Sequence, residues 1–330
     1  MNFEESPTVT HRNRRFPALI AGAIVSVLAL AGCSTDADEG SAASGDGEFP
    51  VTLASGAEGS GEEITVEERP ERIVSLSPSA TESLFAIGAG DQVVAVDEYS
   101  YYPEEAPVVE GLSGYTPNVE SVLSHDPDLV VVTMDDGTLG SGLEAAEVPM
   151  LVLPSAEGLA DAYGQIERLG AATGNLGDAV ELTARMSSDI DAAVESVPEE
   201  LREGDLTYYH EVSSDHYTVA DDTFLGQVYG MFGLSSIAEG ETGYPQLGAE
   251  SIISADPDFI FLSNGESESM TPEKVAERPG WDELTAVREN RIIVLDEDLA
   301  SRWGSRLPQF VQEIAEALRA NAPATAGAAS

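Results

Sequence analysis

The 330-residue chain is poor in basic residues and has a single cysteine. Sixty acidic residues stand against fifteen basic ones, and Lys274 is the only lysine, so the formal net charge at pH 7 is −45. A field of this sign repels phosphate groups, and we therefore expect no nucleic-acid partner. With Cys33 alone, no disulfide can form within the chain, so apolar cores must supply the stability. The acidity is also typical of a secreted protein adapted to a saline medium.

The sequence also lacks the motifs of common enzyme classes. It contains no Gly-x-Ser-x-Gly elbow, no Walker loop and no dinucleotide-binding glycine fingerprint. The nearest approach to a metal cluster, HEVSSDH at 210–216, does not match the His-Glu-x-x-His spacing of zinc enzymes. We therefore expect no enzyme activity, no resident cofactor and no metal site. A secreted enzyme and a surface lipoprotein that binds only another protein remain alternatives.

The N-terminus has the pattern of a secretory signal. Three arginines precede an apolar stretch, 16–30, that is shorter than the roughly 20 residues a membrane-spanning helix needs. The stretch ends in Leu-Ala-Gly-Cys, which resembles the lipobox of bacterial lipoproteins. We predict a signal peptide at 1–32 and lipidation of Cys33. We also predict a flexible tether at 33–69, because much of that segment is Ser, Gly, Ala and acids.

One segment of the chain occurs twice. Residues 118–133 read NVESVLSHDPDLVVVT and residues 248–263 read GAESIISADPDFIFLS, an offset of 130 without a gap. An apolar, strand-like run follows Asp-Pro-Asp in each copy. A repeat at this distance indicates two similar lobes, because the repeats of a solenoid recur every 20–50 residues or so. Small ligands bind preferentially in clefts between domains, so we expect a ligand cleft between the lobes.

Strand and helix signals alternate in both predicted lobes, which is typical of parallel sheets covered by helices. In the first lobe, 70–157, we expect strands at 72–76, 93–96, 129–132 and 150–153. In the second lobe, 199–320, we expect strands at 206–209, 217–220, 259–261 and 292–295. The Ala-rich residues 321–330 are expected to form a frayed tail.

Residues 158–198 carry no strand signal and are predicted to link the lobes. Apolar residues from Leu176 to Val197 recur every three or four positions, which predicts a long helix, and Gly174 indicates a break ahead of it. The predicted fold class is therefore α/β, with two Rossmann-like lobes that contain parallel sheets. A single long α-helix joins the lobes, and the ligand cleft lies between them.

Several segments together resemble a known family. They are ERIVSLSPSATESLFAIGAG (71–90), YSYYPEEA (99–106), the two Glu and Asp-Pro-Asp segments, and LASRWGSR (299–306). On these, residues 70–320 resemble the class III substrate-binding proteins of bacterial ABC importers for ferric siderophores, haem and cobalamin. The resemblance implies a monomer anchored by lipid to the outer face of the cytoplasmic membrane. It also implies a permease dimer with its ATPase as partner, and a ferric siderophore, haem or cobalamin as ligand.

The resemblance further implies two residues that dock on the permease. In the family, one glutamate on each lobe pairs with permease arginines, and Glu120 and Glu250 occupy these positions. A purely local alternative is that acids are favoured near a helix N-terminus by the helix dipole. The Asp-Pro-Asp segments are predicted to end a helix and lead into a strand, without ligand contact.

Comparison with cobalamin binders implies the residues of the cleft. Tyr99 matches a tyrosine of that group that packs on the ligand, and Tyr244 stands in the place of a cleft tryptophan. Asp298 and Arg302 match a polar pair. Gly114 stands where an aromatic residue is expected, with Tyr115 beside it, and Thr133 stands at another such position. Arg306 is expected to be structural. The predicted ligand-binding residues are Ser79, Tyr99, Tyr115, Tyr244, Asp298 and Arg302. If the ligand is haem, the candidate axial ligands are His210, His216, Tyr217 and Tyr244.

Overall fold

The computed structural model describes residues 48–56 and 62–321. The predicted signal peptide, Cys33 and the tail beyond residue 321 lie outside the described residues. Within the described ranges, no helix combines the length and apolarity that a membrane crossing requires.

A β-hairpin occupies part of the predicted tether. Strands β1 (Val51–Ala54) and β2 (Glu63–Val66) pair antiparallel, and their apolar side chains pack against a core shared by both lobes and the linking segment. The tether prediction is therefore wrong for residues 48–56 and 62–69. Each strand has only four residues and mixes apolar with polar ones, so the strand pattern is weak beside its polar flanks.

The first lobe is built on a four-stranded parallel sheet in the order β4-β3-β5-β6. Every residue of β3 and β5 is buried, as expected for strands covered on both faces. The predicted parallel sheet is thus confirmed. Its elements are β3 (Ile73–Leu76), α1 (Pro78–Ala86), β4 (Val93–Val96), α2 (Val119–Leu123), β5 (Leu129–Val132), α3 (Thr138–Ala145) and β6 (Met150–Val152).

The linking segment contains two helices, α4 (Leu159–Thr173) and α5 (Leu176–Glu195), rather than one helix over 158–198. Gly174 separates them, with a left-handed φ of 77° that ends α4 at little steric cost. The predicted long helix corresponds to α5. Helix α4 packs on α1 of the first lobe, while α5 packs on the last helix of the second lobe.

The second lobe contains another four-stranded parallel sheet, in the order β10-β9-β7-β8. The predicted strand at 217–220 is wrong, because only Tyr217 makes an isolated bridge, to Gln246. A two-residue strand takes the edge position instead. The elements are α6 (Glu199–Arg202), β7 (Thr207–Glu211), α7 (Phe224–Gly230), β8 (Ser235–Ser236), α8 (Ala249–Ala255), β9 (Phe259–Leu262), α9 (Pro272–Ala276), α10 (Thr285–Arg288), β10 (Ile292–Val294), α11 (Glu297–Ser301) and α12 (Leu307–Ala320).

The two sheets have the same topology. Written from the same edge, their orders are β4-β3-β5-β6 and β8-β7-β9-β10, which correspond strand by strand. The repeated segments form α2 with β5 in one lobe and α8 with β9 in the other. The duplication predicted from the repeat is therefore confirmed, with each copy in its own sheet.

The Asp-Pro-Asp segments connect a helix to a strand in both lobes, as predicted. The first aspartates have left-handed φ angles, of 49° for Asp126, shortly after α2, and of 47° for Asp256, at the C-cap of α8. The second aspartates bind the neighbouring strand. Asp258 accepts from the backbone N–H of Thr207 at 2.9 Å, and Asp128 accepts from two backbone N–H groups ahead of β3 at 2.7 and 2.9 Å. These bonds align the starts of adjacent parallel strands.

We predict that Asp258→Ala lowers the free energy of unfolding by about 1–2 kcal/mol, because the backbone N–H and hydroxyl of Thr207 lose their acceptor. Asp258→Asn, which keeps one acceptor oxygen, should lose less. Urea denaturation at pH 7 measures both variants. An unchanged urea midpoint for Asp258→Ala would show that the hydrogen bonds from Thr207 to Asp258 add nothing to stability.

Candidate ligand-binding site

The C-terminal part of the second lobe contacts the first lobe beside the carboxyl ends of its strands. The backbone N–H of Trp303 donates to Ser79 Oγ at 3.2 Å, and its indole N–H donates to Gln165 Oε1 at 3.1 Å. Gly304 lies so close to Ser79 that a Cβ at 304 would be 2.6 Å from the Ser79 carbonyl oxygen. Ser79, predicted to contact the ligand, is therefore buried beneath the second lobe.

A buried set of charges joins the lobes at the same place. Glu82, on α1, has a side chain only 1% exposed, and its Oε1 accepts from Arg302 and Arg306 at 2.7 Å each. Arg302 also donates to Asp298 at 2.7 Å and to the Tyr99 carbonyl oxygen at 3.1 Å. Two carboxylates thus balance two guanidinium groups.

Tyrosines of the first lobe complete this network. The Tyr101 hydroxyl donates to Asp298 at 2.7 Å, and burial together with this acceptor raises the pKa of Tyr101. The guanidinium of Arg302 lies 5.0 Å from the ring centre of Tyr101, and that of Arg306 lies 4.0 Å from that of Tyr102. Both distances suit cation–π attraction. We call Glu82, Tyr101, Asp298, Arg302 and Arg306 the inter-lobe network.

The predicted polar pair therefore forms, but it is occupied by protein groups. Arg302, predicted to contact the ligand, is satisfied by Glu82, Asp298 and a backbone carbonyl. Arg306, predicted to be structural, belongs to the same network. Two of its buried polar atoms, Glu82 Oε2 and Arg306 Nε, have no partner among the described residues.

Sequence reasoning missed Glu82. The available signal was that Glu82 is the only charged residue of α1, whose other side chains are small, hydroxylic or apolar. A charge on a helix that is otherwise suited to burial requires partners from elsewhere in the fold. Those partners lie more than 200 positions further along the chain, so sequence spacing could not identify them.

Two predicted tyrosines meet on the first lobe. Tyr99 and Tyr115 pack edge to face with ring centroids 5.8 Å apart, and Tyr115 is 74% exposed. At Gly114, an added Cβ would lie 2.5 Å from the buried carboxylate of Asp97 and 2.6 Å from the Leu76 carbonyl oxygen. Position 114 therefore has no room for an aromatic side chain, and Tyr115 presents one instead.

Two further tyrosines are exposed on the second lobe, in the loops that follow β7 and β8. Tyr217 and Tyr244 lie on two segments that are joined by backbone hydrogen bonds. The Thr218 N–H donates to the Pro245 carbonyl oxygen, and the Ala220 N–H donates to the Gly243 carbonyl oxygen. These bonds hold the two segments together. At the lobe interface, a small void beside Trp303 has room for only about one water molecule. This void is too small for a metal chelate, so it is not the site of such a ligand.

His210, a predicted candidate for axial ligation, lies in the core of the second lobe. Its side chain is fully buried, and each ring nitrogen lies 2.8 Å from a hydroxyl oxygen, of Tyr229 or Ser263. Burial lowers its pKa to about 3, so the ring is neutral at pH 7. With both nitrogens engaged, His210 has none left for a ligand metal. Among the residues described, no group of three or more His, Cys, Asp or Glu side chains forms a metal site.

A second buried ion pair supports the loop after β7. Glu211 is fully buried and accepts from both terminal nitrogens of Arg278, at 2.5 and 2.7 Å, and from the Asn264 amide at 3.1 Å. The Arg278 guanidinium lies 4.6 Å from the ring centre of Trp281, on which His216 stacks at 5.6 Å. The ring of His216, next to Tyr217, therefore packs on Trp281, which in turn contacts the buried Arg278–Glu211 ion pair.

The two predicted docking residues occupy equivalent positions. Glu120 and Glu250 lie in the first turns of α2 and α8, and both are exposed. Because helix and strand run in opposite directions in such lobes, both glutamates lie toward the sheet edge that carries the tyrosine loops. Neither carboxylate forms a hydrogen bond or ion pair with another residue in the described part of the chain. Both are therefore available for an external partner.

These features define a two-lobed solute-binding protein. The chain belongs to the periplasmic binding protein family, whose model matches residues 73–299. This confirms the resemblance to the class III substrate-binding proteins of ABC importers. The family consists of binding proteins, and its members serve a permease with its ATPase.

Individual relatives agree with this assignment. An uncharacterized ABC transporter substrate-binding lipoprotein of Bacillus subtilis is 32% identical over 90% of this chain and 95% of the relative. A cobalamin-binding protein of Halobacterium salinarum is 32% identical over 76% of this chain and 69% of the relative. The crystal structure of a possible iron-binding, periplasmic solute-binding protein of Staphylococcus epidermidis is 26% identical, with a TM-score of 0.66, and covers 76% of this chain and 99% of that one.

We predict that Arg302→Met lowers the free energy of unfolding by about 3 kcal/mol, because it leaves Glu82 buried with one of its two cationic partners. The matched control is Arg185→Met, which breaks an exposed pair with Glu181 on α5 and should cost at most about 0.5 kcal/mol. Guanidinium denaturation measures both. Equal losses in the two variants would contradict a stabilising role for the network.

His210 predicts a pH dependence of stability. Its pKa rises from about 3 in the folded state to about 6.5 on unfolding, so unfolding takes up a proton between these pH values. Stability conferred by the neutral ring is complete above pH 6.5 and is lost as the pH falls. The difference in free energy of unfolding between the wild type and His210→Gln should therefore shrink by roughly 3 kcal/mol as the pH falls from 7 to 4. A difference that is constant with pH would contradict this.

Proposed function

We propose that this protein is a lipid-anchored, extracytoplasmic binding protein that captures a metal chelate and delivers it to an ABC permease. The chelate class comprises ferric siderophores, haem and cobalamin. The observation that carries the proposal is the pair Glu120 and Glu250, which are exposed, unpaired and equivalent on the two lobes of a fold that belongs to a family of binding proteins.

Capture would use the exposed tyrosines. Tyr99 and Tyr115 on the first lobe and Tyr217 and Tyr244 on the second present flat apolar rings that end in a hydroxyl. Such side chains provide rigid contact area for a large planar or polydentate ligand and lose little conformational entropy. The relatives support a metal chelate as cargo, since one is a cobalamin-binding protein and another a possible iron-binding protein. We expect no catalytic step.

Delivery would follow docking of both lobes on the permease. Two carboxylates in matching positions provide a two-point register for a dimeric partner that presents one cationic site per subunit. Because the two lobes share one topology, a pseudo-twofold binding protein can match the twofold symmetry of such a permease.

The anchor would be a lipid on Cys33, which holds a monomer at the outer face of the cytoplasmic membrane. Support comes from the lipobox pattern at the end of the apolar stretch and from the lipoprotein of Bacillus subtilis. The polar residues that follow Cys33 would provide the reach that a permease partner requires.

We predict that the double variant Glu120→Lys, Glu250→Lys abolishes uptake of the chelate by cells and leaves its dissociation constant within about twofold, because only the permease contact is reversed. The matched control, Glu144→Lys with Glu195→Lys, makes the same change of charge at two exposed helix positions outside α2 and α8. Uptake is measured in cells that lack the chromosomal copy. Uptake that survives in the double variant would refute the docking assignment.

The cargo is tested on the purified protein. Ferric hydroxamates, a ferric catecholate, haem and cyanocobalamin are compared by tryptophan fluorescence and thermal shift. Trp303 is a suitable reporter because it lies at the lobe interface. A ligand at a hundredfold excess over its dissociation constant stabilises the folded state by about 2.7 kcal/mol, which a thermal shift resolves. If none of these chelates shifts the melting temperature, the proposed cargo class is wrong.

A further inference from the structure

The loops at the carboxyl ends of the strands, where ligands bind in parallel α/β sheets, carry very unequal charge. Within the described chain, these eight loops contain eighteen acidic residues and two basic ones, Arg302 and Arg306. A ligand at this edge therefore has only these two arginines as formal cations within the loops. The loops comprise residue 77 and residues 97–118, 133–137, 153–158, 212–223, 237–248, 263–271 and 295–306, the last of which includes the short helix α11.

Both arginines are engaged in ion pairs within the protein. Their side chains are 8% and 12% exposed, and both donate to Glu82. Asp298 accepts from Arg302 at 2.7 Å and lies 4.0 Å from Arg306. The unpartnered Arg306 Nε has less than 1 Å² of accessible surface, so a ligand cannot reach it in this arrangement. The inter-lobe network thus carries no net charge toward the solvent.

The groups left for a ligand are aromatic faces and carboxylates. Tyr99, Tyr115, Tyr217 and Tyr244 are exposed, and the negative face of a phenol ring attracts cations. Recognition of carboxylate, phosphate or catecholate oxygens uses Arg or Lys, which supply strong charge-assisted hydrogen bonds. Neither type is free in these loops.

We propose that the cleft selects metal chelates that are uncharged or cationic and discriminates against anionic ones. The inference rests on the proposed function, in that it takes a metal chelate to be the cargo. It favours neutral or cationic ferric hydroxamates and corrinoids. It disfavours ferric tris-catecholates, which are strongly anionic, and haem, which carries two propionates.

The test varies ligand charge on a constant scaffold. The probes are a linear ferric trihydroxamate with a free amine, which is cationic, its acetylated form, which is neutral, and its succinylated form, which is anionic. Cyanocobalamin and its monocarboxylate form a second, corrinoid series. Binding of each to the purified full-length protein is measured by tryptophan fluorescence at low and high salt.

On the scaffold that binds, we expect the neutral or cationic form to bind at least about tenfold more tightly than the anionic form at low salt. High salt should narrow this difference, because it screens the repulsion of the anionic form.

A matched pair of variants separates charge from packing. Tyr115→Lys and Tyr115→Gln both remove the most exposed of these rings, but only the first adds a cation. The anionic probe should therefore bind Tyr115→Lys several-fold more tightly than Tyr115→Gln, while the neutral probe should not distinguish them.

A second variant acts on the network itself. Glu82→Gln removes the shared carboxylate of the two arginines and should raise affinity for the anionic probe. Its control, Glu181→Gln, removes one negative charge on α5, outside the loops, and should have no effect. If Glu82→Gln does not fold, the Tyr115 pair decides the question alone.

Two results would overturn the inference, and only the second would also refute the proposed function. If the anionic member of a series binds as tightly as the neutral or cationic member at low salt, the charge selection is wrong and the proposed function stands. If the folded protein binds no member of either series and none of the other chelates, the proposed function fails together with the inference.

Discussion

The buried carboxylate of Glu82 is the constraint on which the relation of the two lobes depends. Removing a carboxylate from water costs several kcal/mol, and only well-placed cations and hydrogen bonds offset that cost. Here the cations are Arg302 and Arg306, both from the other lobe. The pairing therefore holds the 297–306 segment against the first lobe, with Gly304 close on Ser79. It also occupies the two arginines of the strand-end loops, so in the proposed function recognition of a ligand would depend on the tyrosines.

The duplicated topology gives the molecule two equivalent faces, on which the proposed docking is based. Each lobe repeats one sheet order, with an acid in the first turn of the helix that leads into the central strand. The Asp-Pro-Asp turns connect helix to strand in each unit, because one aspartate follows the helix in a left-handed conformation and the other binds the neighbouring strand. Helices α4 and α5 join the units through packed apolar faces. Docking at two points requires such a fixed spacing between the lobes.

The parallel strands were predictable because they are continuous apolar runs buried on both faces, as in β5 and β9. Elements without such runs were not. Strand β8 contains only two serines, each strand of the hairpin β1–β2 has four residues that mix apolar with polar ones, and 217–220 is apolar enough to resemble a strand yet makes one bridge. In these places long-range pairing outweighs local pattern. At the site, the tyrosines were identified from family resemblance, whereas the state of Arg302 could not be, because its main partner is 220 positions away.

The sequence by itself determined the two-lobed α/β architecture, the equivalence of Glu120 and Glu250, and an acidic surface with few cations. These follow from hydrophobic periodicity, an ungapped repeat and composition, all of which are local or additive. Only the tertiary structure decided which charges are still available. Arg302 and Ser79 lie in segments that suggest ligand contact, but packing of the lobes buries one in ion pairs and covers the other. The reason is that the free energy of a buried charge depends on its neighbours in space, and those neighbours are set by the fold.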